Sequence, residues 1–144
     1  MSLMVGSLNL SIMALEFIFV YGTLRKRIAS NMSHVLANHC EYFSDGVMRG
    51  TLYEVCGYPG AIESDDANDK VFGELYKMLD RKQVIAQLDE YEECSDRFPR
   101  PHEYCRKALS IELSGGGSVV AWVYVYNHDV SKLTQIISGD YHGG

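Results

Sequence analysis

The sequence predicts an α+β domain whose strands form an antiparallel or mixed sheet curling toward a barrel. Three observations point there. About six or seven extended apolar runs stand against two or three short helical patterns. Turn-sized segments, rather than long helices, join most of these runs. Ten tyrosines and many β-branched residues suit a pleated, half-buried surface. At 144 residues and 47% hydrophobic content, the chain fits one domain with a real core and does not read as disordered.

Residues 17–21, FIFVY, are apolar on both faces and read as a first, central strand. Residues 30–38, SNMSHVLAN, read as a short helix or turn with Asn and Ser available as caps. HCEYFSDGVMRGTLYEV reads as two extended runs about an Asp45-Gly46 turn, with a bulge at Gly50. CGYPGAI is a turn followed by a short strand, ESDDANDK an acidic surface loop, and residues 71–79 another strand. Asp80 with Gln83 three residues later makes a capping-box pattern. It opens a helix whose apolar stripe is Val84, Ile85, Leu88 and Tyr91, ending near Glu92 or Glu93. The two prolines of CSDRFPRPHE make that segment a loop. YCRKALSIEL and VVAWVYVYN are strands joined by an SGGGS tip, and DVSKLTQII reads as a last short helix.

Composition excludes several classes. A net charge of −6 argues against a nucleic-acid partner, which calls for a basic face. Cys40, Cys56, Cys94 and Cys105 form no CxxC pair, and the histidines do not fall at zinc spacing, so they read as surface residues and no metal is expected. With no secretory signal, the reading is a reduced, cytoplasmic protein, with Cys40, Cys56 and Cys105 as small core residues. LNLSIMALEFIFV is too short to span a bilayer, lacks a basic flank and is interrupted by Glu16, so no membrane partner is expected. Residues 1–15 read as a leader or cloning-derived residues, and 16–144 as the domain.

Two stretches could carry chemistry. In LDEYEEC a helical wheel separates the carboxylates. Glu92 falls between Leu88 and Ile85, inside the apolar face; Asp89 lies at its border; Glu90 and Glu93 point away. Burial and the helix C-terminus both raise the expected pKa of Glu92, as suits a general base near neutral pH. The bland alternative is a frayed end at which Glu92 reaches water. In VYGTLR, a strand ending in Gly22-Thr23 can leave backbone N–H groups converging on a carboxylate or an oxyanion, or can be a plain turn. YPG at 58–60 is a turn or a pocket wall. Tyr104 and Arg106 share one strand face, as an exposed pair or as a pocket hydroxyl and an anion clamp. The basic residues at 25–27 read as a solvated face.

Taken in order, FVYGTLR, GTLYEV with YPG, VFGELYKMLD, LDEYE, Tyr104-x-Arg106 and AWVYVY resemble the γ-glutamylcyclotransferase-like superfamily, in its γ-glutamylamine cyclotransferase and AIG2-like branch. The resemblance spans about residues 16–141. It implies a small mixed-strand β-barrel with a few short helices. It implies an intramolecular cyclisation of lyase or transferase type: the α-amine of a γ-glutamyl small molecule attacks its own γ-carbonyl, releasing 5-oxoproline and an amine, with no metal or cofactor. Carried over by position, Tyr21, Gly22, Thr23 and Leu24 line the substrate pocket and Glu92 is the acid/base. Tyr104 and Arg106 are further substrate-binding candidates. The stretch between Glu92 and Tyr104 is longer than the family pattern and carries Arg97 and Arg100, which bears on the leaving amine. A non-catalytic module binding a small carboxylate on the same fold is the alternative, and an antibiotic-tailoring enzyme that removes a γ-glutamyl group is a third reading.

Overall fold

A computed structural model describes residues 15–21, 37–91 and 102–141, with 90 and 91 described by their backbone alone. In chain order the elements are β1 (Phe17–Val20), β2 (Cys40–Glu54), β3 (Pro59–Glu63), β4 (Lys70–Met78), helix α1 (Arg81–Tyr91), β5 (Tyr104–Leu113), β6 (Ser118–Tyr126) and β7 (Thr134–Gln135). Residues 37–39 are also helical.

The sheet runs β3-β2-β4-β1-β6-β5, and β5 pairs back onto β2. That last pairing closes β2, β4, β1, β6 and β5 into a five-strand barrel. The barrel is mixed because β1 runs parallel to β6, with Ile18 opposite Trp122, while β1–β4, β2–β4, β5–β6 and β2–β5 are antiparallel. This is the α+β mixed-strand barrel that the sequence implies.

Alternation along the strands divides the apolar side chains into two clusters. Phe19, Met48, Leu75, Ile111, Ala121, Val123 and Val125 belong to one. Their strand neighbours Ile18, Val20, Met78, Tyr104 and Tyr124 belong to the other, together with Val84 and Leu88 of α1. The helix thus covers one outer face of the barrel. Asp80 starts it, with Oδ1 accepting from the Gln83 N–H at 3.3 Å and its carbonyl accepting from the Val84 N–H at 3.0 Å.

Five expectations are corrected. Residues 40–54 form one strand, not two runs about a turn. Gly46 lies inside it, opposite Gly73 of β4 and Leu113 of β5. It is glycine because a Cβ there would meet Ile111 Cγ2 at 2.7 Å. The register shift of β2 falls between Tyr42 and Ser44 rather than at Gly50, which marks the handover from β4 to β3. DVSKLTQII is not a helix. Asp129 accepts from the Ser131 N–H in a local turn, and the chain then adds β7 to Tyr53 and Glu54 of β2. Of the cysteines taken as core, Cys40 is buried, Cys105 half-buried and Cys56 exposed in the turn before β3. His128 is exposed as expected, but His102 Nε2 is enclosed and lacks a hydrogen-bond partner among the described residues.

Candidate active site

Gly22, Thr23, Leu24, Glu92, the basic residues 25–27, Cys94, Arg97 and Arg100 lie outside the described residues. Tyr21, Tyr104 and Arg106 lie within them, as do the residues leading to Gly22 and to Glu92.

Tyr21 directly follows β1. Its hydroxyl donates to the Tyr124 carbonyl of β6 and accepts from the Ala61 N–H of β3 at 3.2 Å. One phenol therefore ties the end of β1 to two other strands. Tyr104, at the start of β5, is buried, and its hydroxyl donates to the Pro59 carbonyl at 2.6 Å. Gly60 packs so closely on Tyr126 that an added Cβ would lie 2.9 Å from that ring. The YPG stretch is thus no free turn. Pro59 and Gly60 are buried in β3, held by aromatic side chains from β5 and β6.

Arg106, two residues along β5, shares the outer face with Tyr104 as the strand period requires. Its guanidinium engages Asp89 of α1 in a fork, Nε to Oδ1 at 3.0 Å and Nη2 to Oδ2 at 3.4 Å. The same guanidinium lies over the Trp122 ring, 4.4 Å from its centroid. Asp89 also accepts from the Tyr124 hydroxyl at 2.6 Å. The exposed-pair reading of Tyr104 and Arg106 therefore does not hold: one is buried and the other is half-buried and ion-paired.

Tyr124 joins the two described segments that lead toward Gly22 and Glu92. Its carbonyl receives Tyr21, the residue before Gly22, and its hydroxyl reaches Asp89, three residues before Glu92. The pairing of Arg106 with Tyr124 and of Tyr104 with Tyr126 puts the start of β5 at the same end of the barrel. Beside it, Tyr58 donates to Glu103 Oε2 at 2.9 Å, and burial followed by that carboxylate pushes the Tyr58 phenol well above its ordinary range.

Asp89, Tyr124 and Trp122 were not singled out by the sequence reading. Asp89 had a signal, its border position on the wheel. Trp122, Tyr124 and Tyr126 had one too, since alternate residues of one strand share a face. Among the described residues, no three His, Cys, Asp or Glu side chains are grouped to hold a metal ion, and no helix is long and apolar enough to cross a membrane.

The family model described as "Gamma-glutamyl cyclotransferase, AIG2-like" matches residues 18–143. The chain belongs to this family. The Gamma-glutamylcyclotransferase family protein YtfP of Escherichia coli strain K12 is 32% identical over 124 residues, covering 86% of this chain and 94% of the relative. The solution structure of YtfP from Escherichia coli superposes with a TM-score of 0.60 at 30% identity, covering 88% of this chain and 96% of that one. An AIG2-like protein of Mus musculus shares the fold, with a TM-score of 0.66 at 24% identity and 88% coverage of both chains. In this cyclotransferase-family chain, Tyr124 contacts both Tyr21, the last described residue before Gly22, and Asp89 in the last described turn of the helix before Glu92.

Proposed function

We propose that the chain is a γ-glutamyl cyclotransferase acting on γ-glutamylamine-type small molecules. Family membership supports the reaction class. The observation that carries the reading to particular residues is the Tyr124 bridge, which ties the residue before Gly22 to the helix turn that leads into Glu92.

In the proposed reaction Glu92 takes a proton from the substrate's α-ammonium, and the freed amine attacks the γ-carbonyl carbon. The new C–N bond closes the five-membered ring as the oxygen takes negative charge. Collapse re-forms the carbonyl and breaks the bond to the leaving nitrogen, which receives the proton held by Glu92. The ring nitrogen then passes its second ammonium-derived proton through the freed carboxylate to the released amine, which departs as its ammonium. The products are 5-oxoproline and the amine, with no proton gained or lost overall. One carboxylate serves each transfer. Because the ring closure is unimolecular, holding the substrate in a folded conformation supplies much of the remaining acceleration. Backbone N–H groups at Gly22 and Thr23, with Tyr21 and Leu24 beside them, receive the substrate carboxylate or the developing oxyanion. Tyr104 and Pro59 form the wall at the β3 side. Arg106 acts through Asp89.

The test is 5-oxoproline release from a panel of γ-glutamyl amines and γ-glutamyl amino acids by wild type and Glu92→Gln. Loss of the acid/base is expected to lower kcat by about 100-fold or more. Equal turnover by the two proteins removes Glu92 from the mechanism. A wild type inert toward the whole panel, yet binding 5-oxoproline, favours a small-carboxylate binding module.

A further inference from the structure

We infer that Asp89, Arg106 and Tyr124 form a positioning clamp that sets helix α1 against the β1 end, and that Arg106 is not a substrate anion clamp. The inference deepens the cyclotransferase reading and rests on it for its kinetic consequences.

The guanidinium is already engaged within the protein. Its Nε and Nη2 are committed to the two Asp89 oxygens, and its face lies on Trp122. An arginine held as a fork against a carboxylate and stacked on an indole has fixed geometry and a neutralised charge. A substrate carboxylate approaching it would meet Asp89 as well. Asp89 itself accepts from Arg106 and from the Tyr124 hydroxyl. Both ends of this network are anchored. Val84 and Leu88, on the same helix as Asp89, are fully buried under the barrel face. Tyr124 is buried and carries Tyr21 on its carbonyl. The side of β6 that holds the Tyr21 end and the side that holds the helix are thus opposite ends of a single residue. The clamp fixes the distance between the two segments that carry the proposed site, and a rotation of α1 about its own axis would break three polar contacts at once.

The test separates positioning from substrate contact by the division between kcat and KM. Asp89→Asn keeps the shape and an acceptor for Tyr124 but removes the negative charge that pairs with Arg106. Tyr124→Phe removes only the hydroxyl and leaves the carbonyl that holds Tyr21. Arg106→Lys keeps a cation without the fork. With folding verified by circular dichroism, each is expected to lower kcat about tenfold while KM stays within about twofold. A rise in KM at unchanged kcat for Arg106→Lys, or a fall in KM for Asp89→Asn as the guanidinium is released to the substrate, overturns the clamp. Hydrogen exchange needs no turnover. Amides of residues 84–91 are expected to exchange about tenfold faster in Asp89→Asn and in Tyr124→Phe than in wild type, while β5–β6 amides hold their rates. Unchanged helix exchange in both variants overturns the clamp whatever the substrate. Absence of turnover by wild type, with the exchange result as expected, overturns the cyclotransferase reading alone.

Discussion

Gly46→Ala tests how the barrel closes. Gly46 sits where β2 meets β4 on one edge and β5 on the other, and the β2–β5 register covers only Gly46, Val47 and Met48. A methyl group there would lie 2.7 Å from Ile111 Cγ2 and 3.2 Å from both the Glu112 carbonyl and Leu75 Cδ1. Carbon atoms pack at about 3.5–4.0 Å, so Ile111 must retreat by about 1 Å or leave its rotamer. Ile111 is fully buried, and retreat pulls on the short seam that closes the ring. Overpacking of this kind costs about 1–3 kcal/mol. Restricting the unfolded chain by replacing glycine returns about 0.4–1 kcal/mol. The expected net loss is about 1–2 kcal/mol, which for a domain of this size lowers Tm by about 3–8 °C. Urea and thermal unfolding followed by circular dichroism measure it. The steric origin is checked by a double-mutant cycle: in an Ile111→Ala background the same change should cost little or nothing, a coupling of at least about 1 kcal/mol. If the two costs simply add, or if Gly46→Ala unfolds at the wild-type midpoint, crowding at the seam is not what requires glycine.

Two further outcomes follow from burial. Leu88→Ala empties a fully buried site under α1 and should cost about 2–5 kcal/mol in urea unfolding, clearly more than the half-buried Ile85→Ala. Burial pushes the Cys40 thiol from 9.0 up to about 11. Its folded form therefore holds its proton more tightly than its unfolded form. The stability linked to this group is complete below about pH 9 and is lost as pH rises through about 11. Comparing the alkaline stability profiles of wild type and Cys40→Ala isolates that loss, and equal slopes above pH 9 would contradict it.

Much of the barrel is legible in the sequence, for identifiable reasons. β1, β4, β5 and β6 are apolar or alternating runs bounded by turn chemistry, and α1 carries both a cap and a stripe. The wheel put Val84 and Leu88 on the buried face, and both are fully enclosed. What was not legible depends on distant partners. Asp45-Gly46 has the chemistry of a hairpin turn, yet the glycine answers to Ile111, some sixty-five residues later in the chain, by close approach. The 129–137 segment begins like a helix, with Asp129 bonded to Ser131, but the open edge of β2 at Tyr53 and Glu54 recruits it as a strand. In the site, the sequence placed Asp89 at the border of the stripe. Only the fold reveals that Arg106 and Tyr124 both turn toward it, because β5 and β6 pair through Arg106 and Tyr124 themselves.

The parallel contact between β1 and β6 has a consequence for how the chain acquires its shape. These neighbours lie about a hundred residues apart, and long-range pairing of this kind slows folding. During synthesis Ile18, Phe19 and Val20 emerge early and can pair with β4, but their other edge waits for Trp122. Until β6 has left the ribosome the ring is an open sheet with an exposed apolar strand, a template for pairing with other chains. The last long strand to be made is therefore the one that ends the period of aggregation risk, and the same strand delivers Tyr124, which holds both the Tyr21 hydroxyl and the Asp89 carboxylate.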